Sequence, residues 1–297
     1  MKPTEFQRAR MLEQARAFLQ EGKALHAAQM YTRMLGDERE DAGLWLELAA
    51  LYADNGLVRA AVNLLRRALV HLPGDSSLIF HIANYEMRLE RYDAALTWYR
   101  KLAEKKLPHV HFNMGIAYFY KDNFKYAEEE FRRTLRYDPK FPKIHESLGE
   151  VLVKRGAYTE AVDLLRRGIA IDPYSAVSHY LLGLAYEKLD QWQRAYGEFV
   201  SAVDLDPNEP SGWQMCAEML IQLKRYGEAE AYLRKTVELN PYSVESLVDL
   251  GIILGLKGEA ETAKEFLQKA TQVDPAHARA REAHWKARRT FTARVKN

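Results

Sequence analysis

Residues 138–173 read DPKFPKIHESLGEVLVKRGAYTEAVDLLRRGIAIDP, and residues 172–207 read DPYSAVSHYLLGLAYEKLDQWQRAYGEFVSAVDLDP. Both stretches run from one Asp-Pro pair to another over the same length. The spacing continues along the chain, because prolines recur every 34 residues at Pro139, Pro173, Pro207, Pro241 and Pro275, and Pro73 stands 66 residues before the first of them. A fixed period of this length indicates one supersecondary unit that is repeated along the chain.

Stacking the sequence on this period defines eight repeats, the third of which is two residues short. Their bounds are 8–41, 42–75, 76–107, 108–141, 142–175, 176–209, 210–243 and 244–277. The twentieth position of every repeat is alanine: Ala27, Ala61, Ala95, Ala127, Ala161, Ala195, Ala229 and Ala263. The eighth position is always alanine or glycine: Ala15, Ala49, Ala83, Gly115, Gly149, Gly183, Ala217 and Gly251.

These small residues predict a pair of antiparallel helices in each repeat. Small side chains let two helix backbones approach closely, and large apolar residues at helical spacing fill the groove around the contact. Turns such as Lys154-Arg155-Gly156-Ala157 separate the helices, because glycine readily takes the left-handed conformation that ends the first one. The proline then closes the second helix. No alternating strand pattern occurs in the sequence, so the predicted fold class is all-α.

The repeated positions resemble the tetratricopeptide repeat (TPR) family, whose repeat is 34 residues long. The second repeat is the fullest match, through Trp45, Leu48, Ala49, Tyr52, Ala61, Leu65, Ala68 and Pro73. The resemblance implies a right-handed α-solenoid superhelix of about eight tandem helix-turn-helix repeats with a C-terminal capping helix. We expect residues 1–277 to form this solenoid and residues 278–297 to form a basic capping helix or tail. Glu86 departs from the pattern, since it stands where the family usually has an aromatic residue.

The composition excludes several other classes of protein. The chain has 297 residues, of which 47% are hydrophobic and 28% charged, with a formal charge of +2, so neither a disordered chain nor a strongly basic nucleic-acid binder is indicated. No apolar stretch is long enough for a transmembrane helix, and the N-terminus lacks the apolar core of a signal peptide. We therefore expect a cytoplasmic protein.

The resemblance also implies where a partner binds, because in the family the first helix of each repeat lines the inner surface of the solenoid. The residues of this chain that we expect there are Phe80, Asn84, Phe112, Asn113, Ile116, Phe119, Tyr120, Lys143, Glu146, Glu150, Tyr180 and Leu184. So many apolar groups at positions that normally face solvent indicate a groove for a partner peptide or helix. The alternative is that a tightly wound superhelix buries part of its own inner surface.

A carboxylate clamp of the kind used by chaperone co-factors of the family is not expected. The corresponding positions are Phe80, Asn84, Asn113, Lys143 and Ser147. They match at three places but lack the arginine and one lysine, which would weaken the charge-assisted bonds to a C-terminal carboxylate.

No catalytic, cofactor or metal site is predicted. His111, His145 and His179 share the fourth position of successive repeats. Neighbouring repeats lie roughly 10 Å apart, too far for shared metal ligation, so we interpret these histidines as packing residues. The single cysteine, Cys216, occupies a position expected to be buried and is interpreted as a small apolar filler. The chain is not expected to be an enzyme.

The last twenty residues carry seven basic side chains and one acidic one, a local charge of +6 that leaves −4 on the rest of the chain. Apolar residues recur at helical spacing among them, which predicts an amphipathic helix. Its simplest role is a cap in which Trp285 and Phe291 cover the last hydrophobic groove. Contact with a membrane surface or nucleic acid is not expected.

The sequence therefore predicts a non-enzymatic scaffold or adaptor that binds a protein partner, as an extended peptide or an amphipathic helix, during assembly of a multiprotein complex. No small-molecule substrate is expected. Two alternatives remain open at this point. The first is a self-assembling oligomer that docks partners on its outer face, and the second is an RNA-processing adaptor that uses the basic C-terminal helix.

Overall fold

The protein is described by a computed structural model that covers residues 5–37 and 40–294, with side chains for residues 9–36 and 40–287. Within these residues the chain forms seventeen α-helices and no β-strand, which confirms the all-α prediction. The helices are α1 (Glu5–Gln20), α2 (Ala24–Asp37), α3 (Ala42–Asp54), α4 (Val58–His71), α5 (Ser76–Arg88), α6 (Tyr92–Arg100), α7 (Pro108–Tyr120), α8 (Phe124–Tyr137), α9 (Ile144–Lys154), α10 (Tyr158–Ile171), α11 (Ala176–Lys188), α12 (Trp192–Leu205), α13 (Pro210–Gln222), α14 (Tyr226–Leu239), α15 (Val244–Leu256), α16 (Ala260–Val273) and α17 (Ala278–Arg294). Odd-numbered helices α1 to α15 are the first helices of the repeats, and the even-numbered ones are the second helices.

The paired helices of a repeat approach closely at both small positions. The alanine at the twentieth position is completely buried in seven repeats and nearly so in the eighth. At the eighth position, a Cβ built on Gly183 would lie only 2.6 Å from Cε1 of Phe199. The other glycines there would meet Phe131, Leu165 and Leu267 at 2.5 or 2.6 Å. These contacts explain why nothing larger than alanine occurs at either position.

The turn between the two helices has one conformation in all eight repeats. Its fifteenth position takes a positive φ throughout, between 54° and 87°. Glycine fills this position in four repeats, namely Gly22, Gly56, Gly156 and Gly258. The other four repeats use Glu90, Asp122, Asp190 and Lys224, which adopt the same left-handed conformation without glycine. The left-handed turn is therefore more general than the glycines of the sequence indicate.

The acidic or amide residue before each recurring proline ends the second helix. Asp172 leaves the helical conformation, and its Oδ1 accepts a hydrogen bond of 3.1 Å from the backbone N–H of Tyr174. The same bond, at 2.8 to 3.3 Å, recurs at Asp138, Asp206, Asn240 and Asp274. Because this side chain satisfies a backbone donor that the helix no longer uses, the Asp-Pro or Asn-Pro pair is a helix stop with a defined geometry.

The chain divides into two compact units, which we call the N-terminal body (Met1–Ile144) and the C-terminal body (His145–Asn297). In the C-terminal body, α17 packs against α15 and α16. Ala280 is fully buried there, and Ala283 and Ala287 are partly buried in the same cluster. Trp285 is 56% exposed, whereas the alanines lie in the cluster between the helices. The side chain of Phe291 lies outside the described residues. The division of the chain into a solenoid and a separate cap stays a prediction.

Within the part of the chain that the structure describes, no helix combines the length and apolar character needed to cross a bilayer.

Candidate functional site

The residues expected to face a partner lie on the first helices, and we call the side of those helices that carries them the first-helix face. In the N-terminal body, Phe80 on α5 is half-buried. Its ring lies edge-on against the His109 ring of α7, with 4.7 Å between the centroids. The ring of Tyr99, on α6, lies 6.1 Å away. Phe80 therefore packs within the N-terminal body, where one side of its ring is covered by the next repeat.

Asn84 and Asn113 form a hydrogen-bonded group with Tyr99. The Tyr99 hydroxyl donates to Asn84 Oδ1 at 2.5 Å, and Asn113 Nδ2 donates to the same oxygen at 3.0 Å. Burial raises the pKa of Tyr99, whose phenol stays neutral. Because both asparagines are engaged with each other, they hold α5 and α7 together and have less capacity to grip a ligand.

The aromatic residues of α7 and its surroundings also pack on their own body. Phe112 lies 5.5 Å from Phe131 and 4.9 Å from Phe141, measured between ring centroids. Phe119 lies 5.6 Å from Phe124, and Ile116 is half-buried. Tyr120 differs from these, since it is 61% exposed and stacks on Tyr92 with an angle of 11° between the rings.

Lys143 lies just outside the first helix of its repeat. Helix α9 begins at Ile144, and Lys143 precedes it with a φ of 59°. Pro142, directly before it, and the left-handed backbone at Lys143 delay the start of the helix. Contact of Lys143 with a partner stays a prediction.

In the C-terminal body, the remaining predicted residues are half-buried. Glu146 accepts hydrogen bonds from the hydroxyl of Ser175, the last residue of its own repeat, and from that of Ser178 on the next repeat. Burial raises the pKa of Glu150, and the Lys154 ammonium acts in the opposite direction. Tyr180 and Leu184 lie one turn apart on α11. Burial raises the pKa of Tyr180 as well.

Tyr180 borders an open cavity of about 140 Å³, which we call the Tyr180 pocket. Ala176 and Val177 come from the start of α11, Ala202 and Val203 from the end of α12, and Ser211 and Gly212 from the start of α13. Val177 is 54% exposed at its rim. Gly212 keeps the cavity wall close, because a Cβ there would lie 2.7 Å from Val203 Cγ1. Asp206 and Glu209 also border the cavity, but most of its wall is apolar, so the pocket suits an apolar side chain.

A second cavity of about 380 Å³ lies toward the C-terminal ends of α11 and α13, and we call it the acidic pocket. Four carboxylates line it, from Glu187, Glu218, Glu245 and Asp249. Trp192, Met219 and Ile221 supply apolar wall, and Arg279 of α17 enters from one side. These carboxylates were not among the residues expected to contact a partner. Glu187 is the twelfth residue of its repeat, Glu218 is the ninth of the next, and Glu245 and Asp249 are the second and sixth of the one after. Acidic residues at these positions in three successive repeats were the sequence signal for the pocket.

The charges of the acidic pocket are unevenly balanced. Arg279 pairs with Glu245 at 2.9 Å and also with Asp249, and His277 Nε2 lies 3.0 Å from Glu245. Glu218 accepts a hydrogen bond of 2.8 Å from Gln214 Nε2, and the described residues give it no ion pair. Burial raises the pKa of Glu218, and Asp249, Glu187 and Glu245 raise it further against the effect of Gln214. This side of the pocket therefore has negative charge that is not balanced.

The histidines and the cysteine make contacts typical of packing residues. His111 Nδ1 lies 2.6 Å from Glu130 Oε2, and His179 Nδ1 lies 2.7 Å from Glu198 Oε2. Cys216 is fully buried, and burial raises the pKa of its thiol to about 12. Among the described residues, no group of three His, Cys, Asp or Glu side chains is placed to hold a metal ion.

Models of the tetratricopeptide repeat match residues 46–108, 112–176 and 244–277, together more than half of the chain. A model described as anaphase-promoting complex, cyclosome, subunit 3 matches residues 169–236. A comparison with curated protein sequences gives no significant match.

Solved structures similar to this chain include MamA 41-end from Desulfovibrio magneticus RS-1. It is 28% identical, with a TM-score of 0.54 over 57% of this chain and 96% of that one. The C-terminal part of a TPR repeat-containing protein from Cytophaga hutchinsonii is 17% identical, with a TM-score of 0.66 over 80% and 98%. A chain of the APC/C hetero-tetramer Cut9–Hcn1 is 14% identical, with a TM-score of 0.58 over 93% and 55%. The last two likenesses concern the fold alone.

Proposed function

The chain belongs to the tetratricopeptide repeat family, and from this premise we propose that it is a non-enzymatic scaffold that binds a segment of a partner protein. The binding surface is the first-helix face of the C-terminal body. Most residues of each repeat form or stack the helix pairs, so the function of such a fold depends on the surface that the helices expose.

The observation that supports this proposal is the Tyr180 pocket. Tyr180 is the fifth residue of its repeat, and Ser211 is the second residue of the next. The same two positions in the third and fourth repeats hold Phe80 and His109, whose rings fill the space between them. Serine is too short to do so, and an open apolar cavity is left beside Tyr180.

The size of the pocket indicates the kind of group that it accepts. A buried apolar cavity of about 150 Å³ is large enough to hold benzene. The Tyr180 pocket, at about 140 Å³, therefore matches a leucine, methionine or phenylalanine side chain. An apolar anchor of a partner that enters such a pocket is the usual centre of a binding surface.

The test is a selection of peptide binders from a random library, followed by affinity measurements on two variants. Ser211→His introduces the residue that the fourth repeat carries at this position, and it should fill the pocket. Gln268→His adds the same side chain on the exposed side of α16, away from the pocket. We expect the selected peptides to lose about tenfold or more in affinity for Ser211→His and to bind Gln268→His as they bind the unchanged protein.

Thermal unfolding of both variants controls for damage to the fold. Peptides that bind Ser211→His without loss, or a library that yields no binder, would contradict the proposal.

A further inference from the structure

The two cavities of the C-terminal body lie at a fixed distance along the first-helix face. Tyr180 and Glu187 are seven residues apart on α11, which is close to two helical turns. They therefore lie on one side of the helix, about 10 Å apart. On α13, Ser211 and Glu218 repeat this spacing, with Gln214 between them. The Tyr180 pocket and the acidic pocket are thus two ends of one surface.

We propose that this surface binds an extended segment of a partner protein in which an apolar residue and an arginine or lysine are three positions apart. The apolar side chain enters the Tyr180 pocket, and the cation enters the acidic pocket beside Glu218. This inference rests on the proposed function and adds the chemistry of the partner to it.

The charge of the acidic pocket selects a cation. Arg279 already pairs with Glu245 and Asp249 on one side. On the other side, Glu187 pairs with the exposed Lys188 at 3.0 Å. Glu218 feels the charge of Lys188 from a distance, but among the described residues its only hydrogen bond comes from the neutral amide of Gln214 and it makes no ion pair. A half-buried carboxylate that lacks an ion pair is stabilised when a cation arrives.

The apolar wall of the acidic pocket favours a long cationic side chain over a small ion. Trp192, Met219 and Ile221 line the cavity together with the carboxylates. The methylene stem of lysine or arginine packs on such groups while its charged end reaches an acid. An arginine also gains from the face of an indole ring.

The distance between the pockets favours an extended segment. In a polyproline II conformation, residues three positions apart lie on one side of the chain and about 9 Å apart. This matches the separation of about 10 Å on α11. An extended chain also leaves its backbone N–H and C=O groups in need of partners. Gln214 lies between Ser211 and Glu218 on α13. Its amide already donates one N–H to Glu218 and accepts from Ser243, so only its second N–H is left to meet a backbone carbonyl of the segment.

Synthetic peptides test the inference directly by fluorescence anisotropy. The probe carries leucine and arginine three positions apart in a background of glycine, serine and proline. One control peptide has glutamate in place of the arginine, and another has the leucine and arginine adjacent. We expect the probe to bind at least about tenfold more tightly than either control, since both anchors are engaged only by the probe.

Two protein variants test where the arginine of the probe binds. Glu218→Gln keeps an acceptor for Gln214 and removes the charge, so it should weaken binding of the probe by about tenfold. Glu238→Gln, on the exposed side of α14, removes one charge from the same body without touching the pocket. We expect it to change the affinity less than about twofold. Equal effects of the two variants, or equal binding of the three peptides, would overturn the inference.

The outcomes separate this inference from the proposed function. Library peptides of another pattern that are sensitive to Ser211→His would leave the proposed function standing and reject the apolar–cationic segment. Sedimentation with and without the probe tests whether a second copy of the chain, and not a partner protein, binds to this surface. Self-association that the probe cannot displace would likewise reject the inference.

Discussion

Adding one methyl group by mutation tests how closely the two helices of a repeat approach each other. Gly183→Ala places a Cβ 2.6 Å from Cε1 and 2.7 Å from Cδ1 of Phe199. Phe199 is fully buried, and its ring lies 5.5 Å from that of Tyr180, so it has little room to move. Such overpacking costs about 1–3 kcal/mol. Alanine in a helix is worth about 0.5–1 kcal/mol over glycine, which offsets part of that cost.

Gly197→Ala is the matched control, because Gly197 lies within α12 and a Cβ there would meet nothing within 4 Å. It should stabilise the protein by about 0.5–1 kcal/mol. The difference between the two variants should therefore be about 1–3 kcal/mol, in favour of Gly197→Ala. Both helices belong to the same body, so differences in the unfolding of the two bodies do not enter.

Urea unfolding followed by far-ultraviolet circular dichroism measures the two free energies of unfolding. A third variant, Phe199→Leu, supplies a rescue, since leucine is the residue that faces Gly149 and Gly251 at the same place in other repeats. The leucine should recover part of the loss when it is combined with Gly183→Ala. If Gly183→Ala stabilises the protein as much as Gly197→Ala, the argument from close approach is refuted.

Three further predictions concern the turns and the buried groups. Lys224→Gly should stabilise the protein by up to about 1 kcal/mol, because Lys224 holds a φ of 59°. Gly156→Ala at the same turn position should destabilise it by a similar amount. Urea unfolding measures both changes in free energy, and two changes of the same sign would contradict the reasoning. Cys216 should react with a thiol reagent at pH 8 only after unfolding, since burial raises the pKa of its thiol to about 12; rapid reaction of the folded protein would show that the position opens. Glu218→Gln should raise the stability of the protein at pH 7 more than at pH 4.5. The pKa of the Glu218 carboxyl is raised in the folded state, so its ionisation destabilises the folded protein as the pH rises above the usual pKa of 4.5. Thermal unfolding of both proteins at the two pH values checks the sign.

The helix pairs were predictable because the rule of small residues recurs in all eight repeats, and the helix ends because an Asp-Pro or Asn-Pro pair recurs in five of them. An alanine at the twentieth position and a small residue at the eighth permit only a close helix pair. The Asp-Pro pairs mark the ends of the second helices. At the turn the rule is less visible, since Asp122 and Lys224 adopt the conformation that elsewhere requires Gly156 or Gly258. There the packing of two helices imposes the left-handed residue, whatever its type.

The candidate site was harder to predict because position in a repeat does not say what a side chain contacts. Phe112 and Tyr120 were both assigned to the face that meets a partner. Phe112 is covered by Phe131 and Phe141, whereas Tyr120 is 61% exposed. The difference arises from which residue the neighbouring helix offers, and a single repeat does not contain that information.

The repeats of one chain can take the place of an alignment when they are compared with each other. A repeat that fills a position with a ring, as Phe80 and His109 do, uses that position for stacking. A repeat that leaves the same position open, as Tyr180 and Ser211 do, gives up packing that its neighbours have. Likewise, Glu218 lies half-buried and makes no ion pair among the described residues, at the cost of stability at neutral pH. Because proteins retain such costly features mainly where binding needs them, the coincidence of both on α11 and α13 favours this surface over the aromatic rings of the N-terminal body.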